Sequence, residues 1–274
     1  MKLHQIFIND DNTLPDVLPS YMHDCTEQLK KVYPDSEYNL YSGEDVEKIL
    51  TDNFDKEIIW AYNKLKPYAC KCDLARACIL YLYGGLYVDL SILFINQIDK
   101  LERWEFFAFR DRNYASIRFW SVMNSIMYSK PKTKVLERVI NRILNHCIHD
   151  YYGVVPVDVS ATTVLGRSIV EESQYVDNQD IATLGQLYDM DQIMKLKCFA
   201  ECQDVIKINE RFKDINAVFY QDNNKGVMSK LIAFYKPLEG GNLKNLGFKK
   251  TNNYVQMWYD KQIYNNSEPL LHFT

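Results

Sequence analysis

The chain has 274 residues, of which 47% are hydrophobic and 25% charged, and this composition is typical of a globular protein with a sizeable apolar core. The formal net charge of -4 at pH 7 argues against nucleic acid as the main partner. The start, MKLHQIFINDDN, has too short an apolar run for a signal peptide, and no segment approaches the roughly 20 apolar residues of a membrane span. We therefore expect a cytoplasmic protein without a transmembrane segment, and peripheral membrane contact stays open.

The seven cysteines are an odd number in mostly apolar surroundings, which fits reduced thiols better than a disulfide framework. Two pairs, Cys70-Lys-Cys72 and Cys198-x-x-x-Cys202, could in principle hold zinc. Neither pair has the spacing of a zinc ribbon or finger, so we interpret them as buried small residues.

The first third of the chain predicts a β-α-β unit. Lys2 to Asn9 is a candidate strand, in which Gln5 and Phe7 share a face. Ser20 is a plausible N-cap for a helix to about Val32, and Glu37 to Tyr41 then reads as a second strand. Helical patterns follow from Glu44 to Phe54 and from Lys56 to Leu65.

The stretch from Tyr68 to Tyr83 has no glycine or proline, so we expect one helix that Pro67 opens and Gly84-Gly85 ends. A strand should follow at once. In that strand the aliphatic side chains and the polar ones alternate, with Leu86, Val88 and Leu90 on one face and Tyr87, Asp89 and Ser91 on the other.

The rest of the chain predicts shorter elements around one long amphipathic helix. Strands are expected at Ile92 to Ile95, Phe106 to Phe109 and Ile117 to Trp120, the amphipathic helix at Lys132 to His149, a loop entering a helix at Ser160 to Val170, and strand-like runs at Val218 to Tyr220, Leu231 to Tyr235 and Tyr254 to Tyr259. This order predicts an α/β fold with a central twisted sheet flanked by helices, as a single domain over residues 1–274.

Asp73 and Arg76 lie three residues apart on the predicted helix and therefore share a face. Charged residues in so apolar a helix are costly to bury unless they are paired or bound to a partner. The plain interpretation is a structural ion pair, with Asp89 as a strand-end carboxylate that caps a neighbouring element. A ligand is the other candidate partner.

Helix Asp-x-x-Arg followed by Leu-Tyr-x-x-Gly-Gly-x-Tyr-x-Asp resembles the core of the glycosyltransferases with a DXD sugar-binding motif. That family includes fungal α-mannosyltransferases and bacterial capsular glycosyltransferases, and the core is also similar to the clostridial glucosylating toxins. Here Cys72 stands where the family has serine, and Ser91 replaces the second Asp of the motif. The resemblance runs from about His4 to Leu101, and it is weaker at Ser160 to Gly166 and at His272.

The resemblance implies a GT-A nucleotide-sugar transferase fold, Rossmann-like in its sheet, with residues 1–101 as the nucleotide-sugar-binding half and residues 102–274 as the acceptor-side half and C-terminal tail. It further implies transfer of a hexose from a nucleotide-diphosphate sugar, with UDP-sugars favoured and GDP-sugars open, to a glycan or glycolipid acceptor in polysaccharide biosynthesis. Retention of configuration is implied by the family alone.

The same resemblance assigns roles to the site residues. Asp73 and Arg76 would clasp neighbouring hydroxyls of the donor sugar, Asp89 would contact ribose and sugar hydroxyls, and these three form the candidate catalytic set. Phe7 could stack on the nucleobase or be a core aromatic, and Tyr87 could border the donor pocket or simply pack.

A divalent cation, manganese or magnesium, would be held by Asp89, with Ser91 and His272 as the further candidate ligands. A neutral hydroxyl such as that of Ser91 is a weaker ligand for a hard cation than a carboxylate. His272 could instead be a solvated residue of a frayed tail. Ser91 also motivates one alternative, a non-catalytic nucleotide-sugar or glycan-binding relative. The toxin-like core suggests another, an effector that glycosylates a partner protein.

Overall fold

The structure is a computed structural model, and it describes residues 1–111, 121–173, 181–189, 216–222, 227–235 and 252–266. The strands of this part of the chain are β1 (Lys2–Ile6), β2 (Glu37–Tyr41), β3 (Gly85–Val88), β4 (Ile92–Phe94), β5 (Phe106–Arg110), β6 (Val122–Ser129), β7 (Ile181–Asp189), β8 (Asn216–Asp222) and β9 (Val227–Tyr235). Its α-helices are α1 (Ser20–Val32), α2 (Gly43–Asn53), α3 (Lys56–Lys64), α4 (Tyr68–Tyr83), α5 (Lys134–Ile148), α6 (Thr162–Ser173) and α7 (Tyr254–Tyr259). None of these helices combines the length and apolarity of a membrane span.

The described strands form one mixed sheet in the order β2-β1-β3-β6-β5-β7-β8-β9-β4. Strand β1 pairs in parallel with both β2 and β3, whereas β6 runs antiparallel to β3 and β5. The carboxyl ends of β1, β2 and β3 therefore meet at one edge of the sheet. In open α/β sheets this is the edge outside which ligands bind.

Helix α4 packs on one face of the sheet because almost all of its central side chains are apolar and buried. It ends where Gly84 and Gly85 adopt φ angles of +60° and +99°, which side chains rarely allow. The amide of Gly84 still donates to the carbonyl of Leu80 and so closes the last turn. The chain then enters β3 without an intervening loop.

Strand β3 contributes to the apolar cores on both faces of the sheet. Tyr87 packs with α4 and α5 in the first core, and Leu86 and Val88 pack in the second with Leu29 of α1. The sheet is thus flanked by helices, as predicted for an α/β fold, and the alternation expected for residues 86–88 is present.

Two predicted elements are wrong. The strand after Gly84 ends at Val88, because the amide of Ile92 donates to the carbonyl of Asp89 and closes a turn over residues 89–92. Residues 254–259, expected as a strand, form helix α7, because the side chain of Asn253 accepts hydrogen bonds from the amides of Val255 and Gln256 and caps it.

Most of the other predicted elements are present with small shifts at their ends, while Pro67 is the N-cap of α4 rather than part of its first turn. Strands β6 and β7 were not predicted. The strand expected at Ile117 to Trp120 lies outside the described residues, as do Cys198, Cys202 and His272. The single-domain boundary, 1–274, stays a prediction.

Candidate active site

Arg76 lies between two carboxylates at the edge where β3 ends. Its Nη2 is 3.4 Å from Oδ1 of Asp73, one turn earlier on α4, and its Nη1 is 3.2 Å from Oδ1 of Asp89, the first residue after β3. The helix, the two glycines and the short strand bring these three residues together from only 17 positions of sequence, 73–89. The structure therefore unites the three residues expected to form the catalytic set.

The guanidinium of Arg76 is held on all sides by neighbouring groups. Its Nε donates to the carbonyl of Cys72 at 3.1 Å, and Nη1 donates to the carbonyl of Asn124 on β6 at 2.8 Å. Its central carbon lies 4.8 Å from the centre of the Tyr87 ring, within the range of a cation–π contact. Its side chain is only 6% exposed, so its position is fixed by the protein.

Asp73 is buried and receives hydrogen bonds at both carboxylate oxygens. The side-chain amide of Asn124 donates to Oδ1 at 2.8 Å, and the hydroxyl of Ser160 donates to Oδ2 at 2.7 Å. Ser160 belongs to the loop before α6, 87 positions after Asp73. A residue far beyond α4 in the chain therefore contributes directly to this site.

Asp89 is the member of the set that reaches the surface, with 27% of its side chain exposed. The hydroxyl of Tyr87 donates to Oδ1 at 2.7 Å, and the amide of Asp89 donates to the carbonyl of Ser125 at 2.8 Å. No described residue donates to Oδ2. One carboxylate edge is thus fixed and the other is available to a ligand.

The electrostatics of the set follow from one buried cation facing two carboxylates. Burial raises the pKa of Asp89 and of Asp73, and the positive charge of Arg76 opposes that rise in both. Burial alone would lower the pKa of Arg76, but the negative groups around it, Asp89 foremost, outweigh burial and raise it. Arg76 stays charged, and the site has one negative charge in excess when both carboxylates are ionised.

Asn124, Ser125 and Ser160 are site residues that the sequence analysis missed. Each comes from an element far from α4 in sequence, and no local pattern connects them to Asp73 or Asp89. The only available signals were the predicted loop that enters a helix at Ser160 and the weaker resemblance to the family at Ser160 to Gly166.

The other predicted site residues that the structure describes are all buried. Phe7 follows β1 and is buried against Met22 and Leu90, so its ring has packing partners, and the nucleobase contact stays a prediction. Tyr87 is fully buried and binds both Arg76 and Asp89 rather than lining an open surface. Ser91 is buried in the turn after Asp89, and its carbonyl accepts a hydrogen bond from Tyr21.

The carboxylate oxygens of this site are suitable ligands for a hydrated hard cation. Magnesium-like ions are commonly bound through one or two carboxylates plus substrate phosphates, and keep several waters. Asp89 offers one free carboxylate oxygen and an excess of negative charge. Within the described ranges no group of three His, Cys, Asp or Glu residues is placed to hold a metal, so neither Cys70 nor Cys72 is part of such a cluster.

The region around the site is similar to a known protein family. The family model described as "glycosyltransferase sugar-binding region containing DXD motif" matches residues 19–107, which include α4, β3 and Asp89. An uncharacterized glycosyltransferase of Acanthamoeba polyphaga mimivirus is 25% identical over 189 residues, 68% of this chain and 70% of the relative. Among solved structures, the PaToxG glycosyltransferase is 14% identical with a TM-score of 0.46, over 62% of this chain and 68% of its own. Residues 19–107 of the chain are therefore similar to the sugar-binding region of the glycosyltransferases that contain the DXD motif.

Proposed function

We propose that this glycosyltransferase moves a hexose from a nucleotide-diphosphate sugar to a glycan or glycolipid acceptor, with UDP-sugars favoured over GDP-sugars and with retention of configuration. The observation that carries the proposal is the position of Asp89, a carboxylate with one fixed and one accessible edge at the carboxyl end of β3. Donor class and retention rest on the family resemblance.

Asp89 acts on the diphosphate of the nucleotide-sugar donor. Its free Oδ2 would hold a divalent cation, directly or through water, and Ser91 and His272 are the further candidate ligands. A cation bound there would neutralise charge on the departing diphosphate. Tyr87 and Arg76 fix the opposite oxygen of Asp89, so the carboxylate is already oriented before the donor arrives.

Asp73 and Arg76 bind hydroxyls of the donor sugar. Protein groups already donate to both oxygens of Asp73, and its side chain is only 8% exposed, so a sugar hydroxyl reaches the carboxylate by displacing one of these groups. The hydroxyl of Ser160 is the closest chemical equivalent of a sugar hydroxyl, so we expect the donor to replace that hydrogen bond and displace the loop that carries Ser160.

A screen of UDP- and GDP-sugars by thermal shift, with and without manganese, tests the donor class. A ligand present at 100 times its dissociation constant stabilises the folded state by about 2.7 kcal/mol. We expect a stabilising UDP-sugar whose effect grows with manganese, followed by release of UDP when acceptor glycans or glycolipids are added. If no nucleotide sugar stabilises the chain under either condition, the proposal is wrong.

Replacement of Asp89 tests the site itself. Asp89→Asn keeps the shape but removes a charge beside the proposed cation, so we expect donor affinity and kcat/KM each to fall at least tenfold. The exposed Asp52→Asn on α2 is the matched control and should change neither. Unchanged affinity and rate in Asp89→Asn would exclude this role. If mass spectrometry instead detects a sugar adduct on a protein, the acceptor is a protein and not a glycan.

A further inference from the structure

A cavity of about 340 Å³ lies between α5, the loop that follows it and the start of α6. Its polar lining consists of Arg142 and His146 from α5, Tyr151 and Asp158 from the loop, and Thr163 and Arg167 from α6. The volume is within the range of roughly 300–1,000 Å³ typical of small-molecule sites. None of these six residues contacts Arg76 or Asp89 through a hydrogen bond or ion pair described above.

His146 gives this cavity a hydrogen-bond acceptor. The residue is 7% exposed, and its Nδ1 is 2.8 Å from the carbonyl of Val159. Because a carbonyl can only accept, Nδ1 carries the proton, and burial lowers the pKa of His146 so that the ring is neutral near pH 7. Nε2 is then an acceptor, and no described residue donates to it.

The two arginines supply donors to the same cavity. Arg142 pairs through Nη2 with Glu171, whereas its Nε is buried and has no hydrogen-bond partner. Arg167 is exposed on α6. The carboxylate of Asp158, held through Oδ2 by the amides of Val154 and Val155, offsets part of their positive charge. Donors and acceptors are therefore mixed within one cavity.

This mixture favours a polyhydroxylated ligand over an anion. A phosphate group offers acceptors only and would face both the unprotonated Nε2 of His146 and the carboxylate of Asp158. Each hydroxyl of a sugar donates and accepts, so it can satisfy both kinds of group. Tyr151, 38% exposed and with its ring centre 4.3 Å from that of His146, offers an aromatic face for the apolar side of a sugar ring.

The cavity is connected to the active site by two consecutive residues. Val159 accepts the hydrogen bond of His146 on the cavity side, and Ser160 donates to Asp73 on the active-site side. We propose that this cavity binds a sugar ring of the acceptor glycan, an inference that rests on the proposed transfer to a glycan. Its occupant contacts the same loop that the donor sugar displaces.

The test measures sugar binding to the full chain without donor or metal, so it does not depend on transfer. Saturation-transfer NMR gives dissociation constants for the methyl glycosides of glucose, galactose, mannose and glucuronic acid, and for inorganic phosphate by competition. We expect at least one glycoside to bind, and Arg167→Gln and Tyr151→Ala each to raise its Kd at least fivefold. Lys48→Gln removes one positive charge from an exposed position of α2 and should leave Kd unchanged.

Donor binding in the same preparations separates this inference from the proposed function. Arg167→Gln with a normal response to UDP-sugars but weakened glycoside binding supports the cavity. The inference is overturned if no glycoside binds to the wild-type chain, if both variants bind as the wild type does, or if phosphate binds more tightly than every glycoside. In each of those cases a retained response to UDP-sugars would leave the proposed transfer intact.

Discussion

Arg76 is the residue on which the charge balance of the active site depends. It is 6% exposed and lies between two carboxylates whose other partners are neutral groups. A buried ion pair is weak grounds for stability, since desolvation offsets the attraction, but removal of one partner leaves an uncompensated charge. Arg76 therefore links the binding of substrate to the integrity of the fold.

Arg76→Ala should lower the free energy of unfolding by about 3–5 kcal/mol, because Asp73 and Asp89 lose their common cation. It should also abolish donor binding. Urea unfolding at pH 7 measures the first effect. The control is Lys30→Ala, which breaks an ion pair to Glu27 in which both side chains are about 40% exposed, and which should cost less than about 1 kcal/mol. Equal losses in the two variants would contradict the burial argument.

At the scale of elements, the sequence predicted α4 and β3 because the relevant signals are local. A run of helix formers, two glycines and an alternating strand determine where Asp73, Arg76 and Asp89 fall. Strand β6 carries Asn124 and Ser125 in a run whose polar residues interrupt the apolar pattern, so nothing nearby in the chain marked it. The contacts that fix the carboxylates depend on sheet order, which local periodicity does not reveal.

Gly85 sets how closely β3 approaches β1. Its φ is +99°, and a Cβ atom there would lie 2.4 Å from the carbonyl oxygen of Lys2. Gly85→Ala should therefore destabilise the fold by about 1–3 kcal/mol and displace β3 together with Asp89. The free energy of unfolding in urea and the affinity for the donor, both measured on this variant, should decrease. Wild-type stability would mean that β1 and β3 can separate at little cost.

At the scale of the whole molecule, His4 connects three elements in the interior. Its Nε2 bonds to the carbonyl of Gly84 after α4, and its Nδ1 bonds to the hydroxyl of Tyr41 on β2. Burial lowers the pKa of His4 to about 4, from 6.5. The unfolded chain then binds a proton between these two pH values that the folded chain does not.

The stabilising contribution of His4 is present above pH 6.5 and is lost as the pH falls toward 4. At about 1.4 kcal/mol per pH unit, the difference between 6.5 and about 4 corresponds to a loss of about 3.5 kcal/mol. His4→Gln should flatten the dependence of the unfolding free energy on pH by that amount, which urea unfolding at a series of pH values measures. Parallel curves for His4→Gln and the wild type would show that His4 does not titrate in this way.

The proposed cation site involves distant parts of the chain, because the candidate ligands Ser91 and His272 lie far apart in sequence. Ser91 is buried two positions after Asp89, in the same turn, so Ser91→Asp places a second carboxylate in the turn that carries the first. Without a cation the two negative charges repel and the variant should unfold at a lower temperature. With manganese the added anionic oxygen should tighten binding, since attraction is stronger where the effective dielectric is low.

We therefore expect manganese to raise the unfolding temperature of Ser91→Asp more than that of the wild type, and to reach half-maximal activation of transfer at a lower concentration. Asn145→Asp adds a carboxylate at an exposed position of α5 and should behave as the wild type. Removal of residues 267–274, which include His272, should weaken the metal response if that imidazole is a ligand. An unchanged manganese response in both Ser91→Asp and the truncated chain would place Ser91 and His272 outside the coordination shell, and Asp89 would then bind the cation with water and the donor diphosphate alone.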